Sequence, residues 1–212
     1  MNELIKIEPF VVGIVSTNCY LIFNDETKEA IVIDPGGCPS YFLNHIEKEG
    51  LEVKAVLLTH GHFDHILGLP DLLEKYPVPV YLGALEKELI EDAAMNGSKS
   101  YTQGYTYEEA VYVEDGEILH FLGQDIEVLF TPGHTAGSVC YYFKEIYTLF
   151  SGDTLFAMSV GRTDLPTGDS DTLEESIRTR IFELPEETIV YPGHMHVTTV
   201  AREKLHNPYV GL

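Results

Sequence analysis

Three segments of this sequence run from an apolar stretch of strand length into a histidine. Residues 53–58 lead to Thr59-His60, residues 126–130 lead to Thr131-Pro132-Gly133-His134, and residues 188–191 lead to Pro192-Gly193-His194. Chemistry in layered folds is carried by the loops that leave a rigid scaffold. The repeated junction therefore predicts that distant parts of the chain meet at one edge. The first junction is the densest: Thr59-His60-Gly61-His62-Phe63-Asp64-His65 puts three histidines and one carboxylate between positions 60 and 65. Neutral imidazole and carboxylate suit zinc, iron or manganese. An extended segment places His60 and His62 on one side, whereas Asp64 and His65 follow a turn, and Gly61 lets the chain bend between ligands. That arrangement points to two adjacent ions needing further ligands. His134, Asp153 in Ser151-Gly152-Asp153, and His194 each follow a strand and are the candidates.

The rest of the pattern mixes strands and helices. Residues 10–15, 19–23 and 30–33 predict short strands, the last ending at the turn Asp34-Pro35-Gly36-Gly37. Residues 40–49 predict a helix with Phe42, Leu43 and Ile46 on one face. A second helix carries Pro70 in its first turn, with Leu72, Leu73 and Tyr76 along it. A strand over 78–82 and a helix over 84–94 follow. Residues 118–122, 126–130, 139–143 and 147–150 predict strands. Asp171-Thr172-Leu173-Glu174 reads as a capping box opening a helix with Leu173, Ile177 and Ile181 on one side. A strand over 188–191 and a helix over 198–205 complete the chain. This interleaving predicts a layered αββα or α/β sandwich.

Composition narrows the partners. With 212 residues the chain suits one domain with a good core. Thirteen basic residues against 34 acidic ones give a net charge of −21, which repels phosphate backbones and excludes nucleic acid as a partner. No apolar run approaches a membrane span. The start of the chain lacks the basic and apolar regions of a signal peptide. A cytoplasmic protein acting on a small molecule, away from membranes, is expected; the oligomeric state is not legible. Cys19, Cys38 and Cys140 form no C-x-x-C pair and read as reduced thiols.

The ordered motifs T-H-x-H-x-D-H (59–65), P-G-H-T-x-G-S (132–138), G-D-x-L-F (152–156) and P-G-H (192–194) resemble the metallo-β-lactamase superfamily over nearly the whole chain. The resemblance implies a four-layer αββα sandwich with the site at one edge of the sheets. It implies two divalent metal ions per chain, zinc first, with iron or manganese as alternatives. His60, His62 and His134 would hold the first, Asp64, His65 and His194 the second, and Asp153 would bridge them. The penicillin-cleaving zinc enzymes carry cysteine at the bridging step. Aspartate there, with Asp64 and His65, resembles the glyoxalase II branch. The reaction so implied is hydrolysis of a small thioester such as S-lactoylglutathione by a hydroxide shared between the ions, with Asp64 orienting it.

The stretch Gly161-Arg162-Thr163-Asp164, ending at Gly168-Asp169, resembles two groups. One is the short glyoxalase II-like hydrolases. The other is the mononuclear iron persulfide dioxygenases of the same fold, the alternative reading, with His60, His62 or His134 and Asp153 at the iron. Arg162 lies where glyoxalase II carries a basic glutathione-binding residue; an ion pair with Asp164 is the structural alternative. His196, two residues past His194, is a candidate for contact with substrate. Gly193-His194-Met195-His196-Val197 departs from the G-H-E-Y-T of glyoxalase II. The helical glutathione-binding domain of the longer enzymes has no counterpart, so residues 1–212 read as one domain. His45 and His120 read as structural or solvated. Residues 96–110, with Tyr101, Tyr105 and Tyr107, read as a lid over the site or as a plain connection.

Overall fold

Side-chain alternation sets the layers of this computed structural model, which describes residues 4–211. The strand Thr17–Asn24 is buried at every position. Its Cys19, Leu21 and Phe23 enter one core, while Tyr20 and Ile22 enter another. The strand Glu29–Ile33 divides the same way, Ala30 and Val32 against Ile31 and Ile33. Successive strand residues point to opposite faces, so a sheet buried on both faces must be an inner layer.

In chain order the first half holds β1 (Ile5–Val12), β2 (Thr17–Asn24), β3 (Glu29–Ile33), α1 (Ser40–Lys48), β4 (Glu52–Leu57), α2 (Phe63–Ile66), α3 (Leu69–Lys75), β5 (Val80–Gly83), α4 (Lys87–Ile90), α5 (Ser98–Tyr101) and β6 (Val111–Val113). The second half holds β7 (Ile118–Phe121), β8 (Gln124–Phe130), β9 (Val139–Phe143), β10 (Thr148–Gly152), the small hairpin β11 (Leu155–Phe156) and β12 (Ser159–Val160), α6 (Ser170–Ser176), β13 (Ile189–Pro192), β14 (Thr198–Thr199) and α7 (Val200–His206). One sheet is ordered β1-β2-β3-β4-β5-β6 and the other β14-β13-β10-β9-β8-β7. Tyr20, Ile33 and Leu57 of the first meet Tyr141, Phe143 and Phe150 of the second in the central core. Phe42, Ile46, Leu69 and Leu72 cover the outer face of the first sheet, and Leu173, Ile177, Ile181 and Val200 that of the second. The anticipated four-layer αββα sandwich is the observed fold. Among the described residues, no helix is long and apolar enough to cross a membrane.

Several boundaries differ from expectation. The first strand runs Ile5–Val12 rather than 10–15, because antiparallel pairing from Ile5↔Asn24 to Val12↔Thr17 selects it and the chain turns at Gly13 and Ser16, both left-handed. The helix expected over 84–94 is a 3₁₀ turn, Ala84–Glu86, followed by the four-residue α4. It stops because the Asp92 carboxylate accepts the N–H groups of Ala94 and Met95, an arrangement that competes with helix continuation. The cap of α6 is Asp169, which accepts Thr172 N–H at 2.8 Å, rather than a box starting at Asp171. Beyond α6 the chain widens into a π-helical turn, Ile177–Ile181. Strand β6 escaped the sequence reading; it is three residues long and pairs in parallel with β5.

The fold gathers the strand ends at one edge. There the two sheets are joined by polar contacts. Tyr141 Oη donates to Leu58 O (2.9 Å), Val139 N to Thr59 O (2.8 Å), Tyr20 Oη to Pro192 O (2.6 Å) and Asn18 N to Gly193 O (2.8 Å).

Candidate metal centre

The three strand-to-histidine junctions converge at that edge. After β4, Thr59–Ile66 carries His60, His62, Asp64 and His65. The loop after β8 carries His134, the turn after β10 carries Asp153, and the loop after β13 carries His194. Three overlapping groups have ligand atoms within 4.8 Å of one another: His60, His62 and His134; His60, His65 and Asp153; Asp64, His65 and His194. His134 Nε2 lies 2.9 Å from His62 Nδ1 and 3.2 Å from His60 Nε2. Asp64 Oδ2 lies 3.1 Å from His194 Nε2 and 3.6 Å from His65 Nε2. Asp153 sits between the groups. Its Oδ1 is 3.4 Å from His65 Nε2, and its Oδ2 is 3.7 Å from His134 Nε2 and 3.6 Å from His194 Nε2.

Residues behind the cluster decide which nitrogens face it. His134 Nδ1 donates to the Arg162 carbonyl oxygen at 2.7 Å, leaving Nε2 as the lone-pair nitrogen toward His60 and His62. Asp34 Oδ2 is 2.9 Å from His65 Nδ1 and also accepts the Thr59 hydroxyl at 2.7 Å. Because that hydroxyl spends its proton on Asp34, its oxygen accepts from His60 Nδ1 at 3.1 Å, which turns Nε2 of His60 inward. Such outer contacts fix tautomer and ring orientation. Asp34 holds a left-handed backbone (φ 51°) and takes Thr59 N–H at 2.8 Å on its other oxygen.

The loop between His60 and His62 is held from below by Glu86. Its fully buried carboxylate accepts Gly61 N–H at 2.7 Å and Gly137 N–H at 2.9 Å. A Cβ at Gly61 would stand 2.9 Å from Leu89 Cδ2 and 3.1 Å from Ile90 Cβ. The glycine is therefore required by close approach; its φ lies outside the left-handed region, which corrects the bending role read from the sequence.

The electrostatics follow from burial and neighbours. Burial, then the adjacent imidazoles, push His60 well below its ordinary pKa, and burial with His134 brings His62 down to about 3. Both rings are thus neutral ligand-type nitrogens. Burial opposes charge on His65, but Asp34, Asp64 and Asp153 overcome it and hold the ring's pKa up. Burial would raise Asp64, yet His65 and His194 keep it below the usual carboxylate range, and Asp153 is depressed in the same way by His65, His134 and His194. Burial raises Glu86 against the opposing bonds from Thr135, Gly61 and Gly137.

These donors fit a divalent metal. Three ring nitrogens, His62 Nδ1, His134 Nε2 and His60 Nε2, crowd together with His134 Nε2 at 2.9 and 3.2 Å from the other two. Asp153 Oδ1 and His65 Nε2 are buried without a hydrogen-bond partner. Unpaired buried polar groups are costly, and a shared cation satisfies both.

A cleft of about 580 Å³ opens above the cluster, with His62, Asp64, His134, Asp153 and His194 in its lining. Arg162 lines it too, and its guanidinium is bound by Asp164 at 2.7 and 2.8 Å, the pairing weighed from the sequence. His196 is exposed and lies outside the lining; Met195 reaches the cleft instead. Met195 takes a left-handed conformation (φ 67°), which redirects the chain after His194. In residues 96–110, Tyr101 borders the cleft, whereas Tyr105 and Tyr107 pack against the outer core. Asn96 is buried and donates to Ile90 O and Tyr105 O, which ties the start of the segment to the chain before it and to its own later part. Sequence reasoning missed Asp34, Thr59 and Glu86 as supports. Asp34 was findable, since it ends β3 as His60 follows the neighbouring parallel β4.

The chain belongs to the metallo-beta-lactamase superfamily, whose family model matches residues 12–194. A probable metallo-hydrolase of Bacillus subtilis, YqgX, is 40% identical over 202 residues, 94% of each chain. The hydroxyacylglutathione hydrolase GloC of Haemophilus influenzae is 37% identical over 211 residues, 97% of this chain and 98% of its own. Among solved structures, the B3 metallo-beta-lactamase BLEG-1 superposes with a TM-score of 0.90 at 40% identity, covering 97% of this chain and 99% of that one. TTHA1623, solved in a di-iron-bound form, superposes at 0.85 with 38% identity over 95% and 99% of the two chains.

Proposed function

We propose that this protein is a two-metal hydrolase that cleaves a small thioester, with S-lactoylglutathione as the reference substrate. The observation that carries this reading is the position of Asp153. Its Oδ2 faces one donor of each group, His134 at 3.7 Å and His194 at 3.6 Å, while its Oδ1 faces His65 at 3.4 Å. One carboxylate so placed joins two adjacent sites, His60-His62-His134 and Asp64-His65-His194. The similarity to GloC supports the thioester, and the di-iron form of TTHA1623 supports the count of two, with zinc, iron or manganese as the metal. Divalent ions held there supply Lewis acidity and lower the pKa of water toward neutrality.

The chain's own groups do the rest. Asp64 accepts the Thr17 hydroxyl at 3.3 Å and stands at the cleft, where its ionised carboxylate orients the attacking water. Hydrolysis forms a C–O bond and breaks the C–S bond. The thiolate leaves and takes one proton, so no separate general acid is needed. Phe63 and Phe156 line the cleft beside the cluster.

Metal analysis with parallel assays tests the reading. Two ions per chain and turnover of S-lactoylglutathione support it. One iron per chain with oxygen uptake on glutathione persulfide overturns it in favour of a dioxygenase. Turnover of a β-lactam without thioester hydrolysis overturns it as well.

A further inference from the structure

The walls of the cleft differ in character from its floor. Phe63, Met95, Tyr101, Phe156, Val160 and Leu165 form an apolar surface around the donor cluster. Tyr101 is 54% exposed, yet its ring stacks on Phe63 with centroids 4.2 Å apart and planes 14° apart. An exposed aromatic held in a stack is a preformed contact surface with little entropy left to lose. The stack is anchored through the backbone, since Phe63 N–H donates to Asn96 O at 2.8 Å, and Asn96 is itself pinned by its amide. The opposite wall is equally fixed. Phe156 and Val160 belong to the β11–β12 hairpin, which the buried Glu203 and Asn207 hold by accepting Met158 N–H (2.8 Å) and donating to Ser159 O (3.0 Å).

Charge points the same way. Of the described residues that line the cleft, Arg162 is the one with a permanent positive charge, and Asp164 neutralises it through both guanidinium bonds. A substrate carboxylate arriving there meets an ion pair of no net charge on a protein of net charge −21. Steering by the chain's own charge therefore disfavours multiply anionic substrates at long range, and divalent ions held by the cluster would attract an anion only close to the cleft floor.

We propose that the Phe63–Tyr101 stack and the facing hairpin form a binding site for an apolar acyl chain, so that the enzyme prefers thioesters of apolar acids on an uncharged thiol. This rests on the hydrolase reading above. Tyr101 is the specificity-determining residue, because it is the outermost member of the wall and the acyl chain lies against its face. Glutathione thioesters of small hydroxy acids are accepted but saturate weakly.

The test is a series of N-acetylcysteamine thioesters from acetyl to octanoyl, with glutathione thioesters of the same acids, on the metal-loaded enzyme. Each added methylene is expected to raise kcat/KM about threefold until the cleft is filled, the gain appearing mostly in KM. At equal acyl length the neutral thiol is expected to give the lower KM, most clearly at low salt. Tyr101→Ala is expected to flatten the dependence on acyl length, and Tyr101→Phe to keep it, with both melting like the parent. A flat length series, a gain that follows the thiol instead of the acyl group, or a tenfold preference for the glutathione thioester overturns the proposal. If no thioester is turned over, the hydrolase reading fails by itself. Binding of uncleavable S-alkyl thioethers by calorimetry then decides the acyl site: affinity rising with chain length and lost in Tyr101→Ala supports it, and length-independent binding overturns it.

Discussion

Asp34, directly after β3, and His65, in α2, are paired at the strand-end edge, Asp34 Oδ2 lying 2.9 Å from His65 Nδ1 with both side chains buried. The same carboxylate binds Thr59, so one anion orients two of the rings in the cluster. Removing it should loosen the rings without removing a ligand. Asp34→Asn keeps the size and tolerates the left-handed backbone. It is expected to weaken metal retention about 10–100-fold, as lost outer contacts do elsewhere. Competition against a chelator measures this. Unchanged affinity in Asp34→Asn would show that His65 needs no such partner.

Asp153 lies between the two proposed sites, within 3.7 Å of His134 and 3.6 Å of His194. Asp153→Ala is expected to lower the metal count from two toward one and to cut thioester turnover by at least about 100-fold, since the open site loses its joint ligand. Circular dichroism should stay native, because the carboxylate's ion-pair contacts are with imidazoles of the cluster itself. A variant that keeps both ions and its rate removes the bridging role.

Glu86→Ala leaves the N–H groups of Gly61 and Gly137 without their acceptor. Each buried unpaired donor costs about 1–3 kcal/mol. A loss of roughly 2–5 kcal/mol is expected in urea denaturation, the lower bound allowing for an entering water. Turnover should fall too, because Gly61 fixes the spacing between His60 and His62. Wild-type stability in this variant would mean that the loop is held by packing against Leu89 and Ile90 alone.

A pH dependence follows from Asp115 and Arg180. Arg180 donates to both Asp115 oxygens, at 2.6 and 2.9 Å, and joins the π-helical turn to the start of the second sheet. The bond from Arg180 holds the Asp115 carboxyl below its ordinary pKa, with Phe130 N–H assisting. A depressed folded-state pKa gives stability that is present above the unfolded value and lost as pH falls through the folded one. The pair is half exposed, so the effect is small. Asp115→Asn is expected to lower Tm by about 2–3 °C at neutral pH and by nothing once both proteins are below the carboxylate range. Melting curves at both pH values check this. An equal deficit at low pH would mean that the charge on Asp115 contributes nothing.

The sequence by itself determined the ligand types and the layers. Imidazole and carboxylate clustered at 60–65 have no common structural use, and His134, Asp153 and His194 repeat one strand-to-turn context, so the donors were legible before any coordinates. Strands β2 and β3 were likewise legible in the short apolar runs 19–23 and 30–33, which are buried throughout because a strand of an inner sheet points its side chains into a core on each face. Boundaries set by a partner were not legible. The first strand is Ile5–Val12 because β2 pairs with it there, and the segment 84–94 breaks because Glu86 and Asp92 find better partners than helix continuation. Tertiary structure alone decided that Asp34 supports His65, that Met195 rather than His196 faces the cleft, and that Tyr101 stacks on Phe63 while Tyr105 is packed away. Each depends on where a side chain far along the chain ends up in space, or on a single backbone angle at a turn. Local pattern carries the identity of the donors, whereas the direction in which a loop residue points is set by the partners that folding brings to it.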